Sequence, residues 1–82
     1  MVSHPIRTTQ QLGLILQGCR KQSGLTQKQA ASKVGMLPKT ISGLEANPDN
    51  SSIASLFKLL SALDLELILQ PKESGQNSGE EW

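Results

Sequence analysis

Two stretches of this sequence, residues 26–28 and 37–43, carry side chains that could bind a nucleic acid. Lysine amines donate to the O6 and N7 acceptors of guanine, and hydroxyl or amide groups reach base edges or phosphate oxygens. Small and apolar residues allow a close approach of the sugar-phosphate backbone or contact with a thymine methyl group. The candidate DNA-binding residues are Thr26, Gln27, Lys28, Leu37, Pro38, Lys39, Thr40, Ser42 and Gly43.

The second stretch is the one that could read bases. Lys39 is its only long donor, and we predict that it contacts a guanine. Thr40 and Ser42 can reach either a base or a phosphate, whereas Leu37 and Pro38 offer apolar contact alone.

The first stretch is typical of a phosphate contact at the start of a helix. Free N–H groups and the helix dipole attract an anion there, so Gln27 and Lys28 would fix the register on DNA without reading its sequence. Thr26 is needed as the helix cap whether or not DNA binds, and its role could therefore be structural alone.

Composition argues against an enzyme. The chain has a single histidine, His4, and a single cysteine, Cys19, with no phosphate-binding glycine loop and no metal-ligand spacing. We therefore predict no catalytic residue, no metal and no cofactor. The lone cysteine also excludes an internal disulfide and fits a reducing cytoplasm.

Charge is divided unevenly along the 82 residues, although the formal net charge is only +1. Residues 1–44 hold six basic residues and no acidic one, while residues 45–82 hold two basic and seven acidic ones. The basic half contains both candidate stretches, and it would attract a polyanion such as DNA.

The segment 27–46 predicts the two helices that position these groups. Gly35 suits the corner between them, because a positive φ costs glycine little. Ala30 and Ala31 keep the first helix thin where the second crosses it, and Ile41 and Leu44, with Val34, have the spacing to fill the wedge. This pattern indicates a helix-turn-helix whose second helix enters the DNA major groove.

Two further helices complete the predicted fold. The pairs Thr8–Gln11 and Thr26–Gln29 read as capping boxes, and Pro38 suits a first helical turn. We expect the first helix to begin near Thr9 and to stop at Gly24, and the fourth to be capped by Ser51 or Ser52. Apolar stripes on these two helices comprise Leu12, Ile15, Leu16 and Cys19, and then Ile53, Leu56, Phe57 and Leu60, widened by Leu59 and Leu63.

Residues 65–70, with the sequence LELILQ, change to a period of two and favour a β-strand. A lone strand leaves backbone groups unpaired, and the simplest remedy is an identical strand from a second copy. We therefore predict a homodimer that pairs through this strand, with Leu65, Leu67, Ile68 and Leu69 as dimerisation residues. Alternatively, the segment extends the fourth helix or packs on it as coil.

The predicted fold class is thus mainly all-α, with four or five helices and one short C-terminal β-strand shared across the dimer. We predict a flexible arm over residues 1–8, a DNA-binding and dimerisation domain over 9–70, and a disordered tail over 71–82. Trp82 ends that tail, where it could anchor a partner, mark the tail for degradation, or have no role.

These residues resemble the Cro and phage-repressor class of helix-turn-helix proteins. The likeness covers residues 9–63 and is carried by LTQ at 25–27, AA at 30–31, VG at 34–35, TIS at 40–42 and LE at 44–45. It implies a lambda-repressor-like domain. In that class an arginine of the first helix often pairs with a glutamate that ends the recognition helix, so the resemblance implies an ion pair between Arg20 and Glu45.

A wider likeness, to HipB-type antitoxins, rests on NPDN at 47–50, the Phe57-Lys58 helix, the Leu-rich segment and the terminal Glu81-Trp82. It implies a dimer that binds palindromic operators, represses its own promoter and binds a HipA-like serine/threonine kinase toxin in the bacterial cytoplasm, at the nucleoid. Pro38 stands where that family has glutamine, so the operator sequence does not transfer. Two alternatives stay open: a freestanding phage-type repressor without a toxin, and a protein-bridging module that does not bind DNA.

Overall fold

The computed structural model describes residues 3–72, and within them the fold is built from four α-helices. A short 3₁₀ turn, Pro48–Asn50, joins the last two helices. The helices are α1 (Thr9–Gln22), α2 (Gln27–Val34), α3 (Pro38–Ala46) and α4 (Ile53–Ala62). The mainly all-α fold class is confirmed. None of these helices is long and apolar enough to cross a membrane.

The signals for the ends of α2 and α3 are confirmed. Thr26 and Gln29 form a complete capping box, and Gly35 ends α2 in the left-handed conformation with φ of 69°. Leu37 caps α3 by its backbone alone, and Pro38 is the first helical residue. Local residue chemistry thus fixes the corner between the two helices.

The capping box predicted at the start of α1 is half formed. Thr8 Oγ1 accepts a hydrogen bond from the backbone N–H of Gln11, as expected. The second hydrogen bond of the predicted box is wrong, because the Gln11 side-chain oxygen Oε1 accepts from the backbone N–H of Arg7 and not from that of Thr8. The start of α1 at Thr9 is unaffected.

A small apolar core lies where the helices meet. Its largest fully buried side chains are Leu16, Ile41, Leu44 and Leu59. Ala30 and Ala31 are equally buried, which confirms that α2 stays thin where it is packed. Val34 is only half-buried, so the wedge is filled mainly by α3.

The apolar stripe predicted for α4 is wrong in part. Leu59 and Leu60 are buried, but Ile53 is 71% and Phe57 51% exposed. The helix carries more apolar residues than α2 and α3, the helices it packs against, can cover, and the remaining ones face outward. Such a surface is available to a second polypeptide.

The segment 65–70 leaves the helix and carries no strand assignment in the single chain. Leu63 caps α4, and Asp64 turns the chain with a positive φ of 59°, so the alternative that the segment extends α4 is wrong. The backbone N–H of Leu65 donates to the carbonyl oxygen of Leu60, and the Leu65 side chain packs against the core. A strand that pairs across a dimer needs a second copy, so this element stays a prediction, and most of the predicted tail, Trp82 included, lies outside the described residues.

One close contact, between α1 and the end of α3, has no signal in the sequence. Gly13 in α1 lies so near the end of α3 that an added Cβ would overlap the carbonyl oxygen of Glu45. The same Cβ would lie 3.1 Å from Pro48 Cγ. A glycine is therefore required where α1 crosses α3.

We expect Gly13→Ala to destabilise the fold by about 1–3 kcal/mol, because α1 must move away from the α3 backbone. Gly18→Ala is the matched control, since it lies on the same helix with nothing within 4 Å of the added Cβ. That control should gain up to about 1 kcal/mol from helix propensity. Urea unfolding measures both, and equal stabilities of the two variants would contradict the close packing of α1 on α3.

Candidate nucleic-acid interface

The two candidate stretches lie at the starts of α2 and α3, the two helices of the predicted motif. In the first stretch, Thr26 and Lys28 are exposed and Gln27 is half-buried. Of the six candidate residues in the second stretch, four are exposed and two are half-buried. The exposed four are Leu37, Pro38, Lys39 and Ser42, and the half-buried two are Thr40 and Gly43.

Helical periodicity explains the outward face of α3. Ile41 and Leu44 are buried, which turns the residues between and before them, Lys39 and Ser42, toward solvent. A Cβ added at Gly43 would have one neighbour within 4 Å, Ser51 Oγ at 4.0 Å. Because glycine has no side chain, the α3 backbone is accessible at this position. The exposed face of α3 thus carries the amine of Lys39 and the hydroxyl of Ser42, and it begins with the apolar pair Leu37-Pro38.

A buried ion pair holds the far end of α3 against α1. Arg20 Nε lies 2.6 Å from Glu45 Oε2, and Arg20 Nη2 donates to Oε1 at 3.1 Å. The two side chains are 8% and 3% exposed. This two-point geometry fixes both the distance and the relative orientation of the helices.

The ion pair also reaches the connection between α1 and α2. Arg20 Nη1 donates to the carbonyl oxygen of Leu25 at 2.8 Å, and Gln27 Nε2 donates to Glu45 Oε1 at 3.1 Å. One buried charge pair therefore ties α1, the start of α2 and the end of α3 together. The pair was expected only from the family resemblance, and the bond to Gln27 had no signal in the sequence.

An open groove of about 520 Å³ runs between α1 and α3 beside this network. Ser42 and Gln27 of the candidate stretches line it, together with Glu45. Its α1 wall consists of Gln10, Leu14 and Gln17, which no pattern in the sequence indicated. Two glutamines and a leucine on one face of a helix do not differ from the residues of an ordinary protein surface.

Within residues 3–72, no three His, Cys, Asp or Glu side chains come together as a metal site. Cys19 is half-buried on α1 and packs against the core. The surface that the candidate residues build is suited to hydrogen bonding and to attraction of an anion.

Comparison with known proteins identifies relatives of this arrangement. The helix-turn-helix family matches residues 16–69. An antitoxin HipB of Escherichia coli O6:H1 (strain CFT073) is 42% identical over 59 residues, which are 72% of this chain and 63% of that protein. The antitoxin HipB of Escherichia coli K12 is 36% identical, with 88% of each chain covered. The chain thus spans just under two thirds of the first relative and most of the second.

Two solved structures have the same fold at 35% sequence identity. One is a HipB complex with an O4 20mer and the other a complex of HipA, HipB and O2–O3. Each aligns with a TM-score of 0.82 over 87% of this chain and all of the matched chain.

We expect Arg20→Met to cost about 3–5 kcal/mol of stability, because it leaves the Glu45 carboxylate buried without its partner. Lys21→Met is the control, since it removes an exposed cation from the next position of the same helix and should stay within about 0.5 kcal/mol of the native chain. Thermal and urea unfolding compare the two. The double variant Arg20→Met/Glu45→Leu should recover much of the loss, and a failure to do so would show that the unpaired Glu45 carboxylate is not the cause of the loss.

Proposed function

We propose a function from one premise: the chain belongs to the helix-turn-helix family, and within that family to the HipB-type antitoxins. On that basis it is a DNA-binding antitoxin. In finer terms, we propose that it binds palindromic operators as a dimer, represses its own promoter and forms a complex with a HipA-like serine/threonine kinase toxin.

The observation that carries the DNA-binding proposal is the outer face of α3. Lys39 and Ser42 are exposed on that face, while Ile41 on the opposite face is completely buried. The helix therefore presents donors to a ligand without giving up its core contacts. The cap at Thr26 leaves further backbone donors at the start of α2 for a phosphate.

The charge distribution supports the same orientation. Five of the six basic residues among residues 1–44 are exposed, and the sixth, Arg20, is buried in its ion pair with Glu45. The acidic residues follow from Glu45 onward. DNA would attract the first part and repel the second, which orients the domain as it approaches the duplex.

The exposed apolar surface supports the dimer. Ile53 and Phe57 on α4 are followed by Leu67, Ile68 and Leu69, which are 49%, 67% and 89% exposed. A domain of this size cannot cover these residues itself, and a second copy would bury them. Two recognition helices in one dimer would then read half-sites about 34–36 Å apart.

The toxin partner is inferred from the relatives. One of the matched structures is a complex that contains HipA together with HipB. Affinity co-purification from the native host, with both protein and DNA identified, tests the antitoxin proposal directly. Recovery of DNA without a kinase would favour a freestanding repressor, and recovery of protein partners without DNA would favour a bridging module.

We expect Lys39→Ala to weaken binding to the preferred duplex by about 1–3 kcal/mol and to relax preference at one base pair. The reason is that a single long donor faces the base edges from α3. Fluorescence titration on the protein's own promoter DNA, and on duplexes with single base-pair changes, measures both effects.

Substitutions of two other lysines serve as comparisons for Lys39→Ala. Lys28→Ala should weaken all sequences alike and lower the salt slope by about one unit, because it removes a phosphate contact. Lys33→Ala, at an exposed position of the last turn of α2, should change the preference at no base pair. Unchanged affinity and preference for Lys39→Ala would refute the base-reading role.

For the dimer, we expect Ile68→Glu to shift the protein from dimer to monomer at micromolar concentration, because like charges would meet across the paired strands. Ile68 is 67% exposed in the single chain, so the change leaves the core intact. Ser32→Glu adds the same charge at an exposed position of α2 and should leave the dimer unchanged. Equilibrium sedimentation is the measurement, and a native chain that is already monomeric would rule out the shared strand.

A further inference from the structure

The start of α3 departs from a rule that the other three helices follow. Thr8, Thr26 and Ser52 precede α1, α2 and α4, and the hydroxyl of each accepts a hydrogen bond from its own helix. Leu37 holds the same position before α3 and makes no side-chain hydrogen bond there. Leucine is among the poorest residues at a helix cap, so local stability does not explain its presence.

The core does not need Leu37 either. Met36, the residue before it, packs against the buried cluster, and Ile41 one turn later is completely buried. The Leu37 side chain is 64% exposed, and Pro38 beside it is exposed as well. Leu37 thus contributes neither a cap nor core packing, and such a departure from local preference is expected at a functional site.

The charges near Leu37 favour a nucleic acid as the ligand. Lys39 follows two positions later in the same helical turn, and Lys28 lies in the first turn of α2, with both side chains exposed. Glu45 is the first acidic residue of the chain, and its side chain is only 3% exposed in the ion pair. An apolar group in basic surroundings suits a ligand that combines phosphates with a small apolar feature.

A DNA duplex presents one such feature to a helix in its major groove. It is the C5 methyl group of thymine, which helps to distinguish a T·A pair from the other base pairs. The N-terminal residues of a recognition helix are the ones that reach base edges. The amine of Lys39 and the hydroxyl of Ser42 recognise hydrogen-bonding groups, whereas Leu37 and Pro38 can recognise a methyl group.

We propose that Leu37 and Pro38 form a site for the C5 methyl group of a pyrimidine in the DNA major groove. This site rests on the proposed DNA-binding function and deepens it, because it names the chemical group that the start of α3 reads. Each half-site of the operator then contains a thymine that faces Leu37. Since 5-methylcytosine carries the same methyl group at the same ring position, the site also distinguishes methylated from unmethylated cytosine.

Uracil tests the site, because it differs from thymine by that methyl group alone. The probe is the segment of its own promoter that the protein protects in a footprint, with each thymine replaced by uracil in turn. We expect one thymine of each half-site to be sensitive, with about a fourfold loss of affinity for each methyl group removed from contact. Fluorescence titration measures the affinities.

Cytosine separates the methyl contact from an effect of DNA shape. At the uracil-sensitive position, the T·A pair is replaced by a C·G pair with or without the C5 methyl group. We expect the methylated duplex to bind about fourfold more tightly than the unmethylated one. Equal binding of the two would mean that uracil acts through the shape or stiffness of the duplex, and the proposal would be overturned.

The variant Leu37→Ser connects the preference to this side chain. Serine supplies the side-chain cap that α3 lacks, so we expect the variant to unfold at a higher urea concentration than the native chain. Its preference for thymine over uracil should fall from about fourfold to less than about twofold. Leu14→Ser is the control, since it replaces a leucine of α1 that is 67% exposed and should retain the full preference. A less stable Leu37→Ser that keeps the preference would show a structural role and overturn the proposal.

Three other outcomes are decisive. If the native chain binds its promoter and every thymine accepts uracil without loss, the methyl site is wrong while the proposed function stands. If Leu37→Ser keeps its thymine preference but loses a protein partner in co-purification, Leu37 belongs to a protein interface, and the proposal is again overturned. If the native chain binds no promoter DNA at low salt, the proposed function itself fails, and the methyl site fails with it.

Discussion

The buried ion pair between Arg20 and Glu45 is the constraint on which the geometry of this domain depends. It joins α1 to the end of α3 and, through Leu25 and Gln27, to the start of α2. A buried pair of this kind adds little net stability over an apolar pair, but it enforces one arrangement. In a domain with so small a core, that arrangement sets the spacing between the two helix starts that face the proposed ligand.

The closeness of α1 to α3 is the other half of this constraint. The glycine at position 13 permits the close contact, and the ion pair formed by Arg20, about two turns later in α1, also joins α1 to α3. Among the described residues, five of the eight exposed large apolar side chains lie on α4 and on the segment that follows it. Packing of the single chain thus leaves open the surface that a second copy would need.

Local chemistry made much of the fold predictable from the sequence. The box at Thr26, the left-handed Gly35 and the proline at position 38 act on their nearest neighbours, so their positions alone gave the limits of α2 and the start of α3. The exposure of Phe57 and the glycine contact of α1 depend on which helices cross and how closely. The partner of Gln27 lies 18 residues away, and no spacing rule connects the two. The helix starts that carry the candidate residues were therefore predictable, but the direction in which the Gln27 side chain points was not.

The backbone at the start of α3 determines which hydrogen-bond donors of this helix stay the same when its amino acids are replaced. Leu37 supplies no side-chain cap, Pro38 has no N–H, and the N–H of Thr40 is bonded to the carbonyl of Leu37. The peptide N–H of Lys39 is left without a partner in this turn, since helical geometry gives it none. A main-chain donor persists through every replacement except proline, so amino-acid changes along this helix can alter its exposed side chains while this one backbone donor is kept.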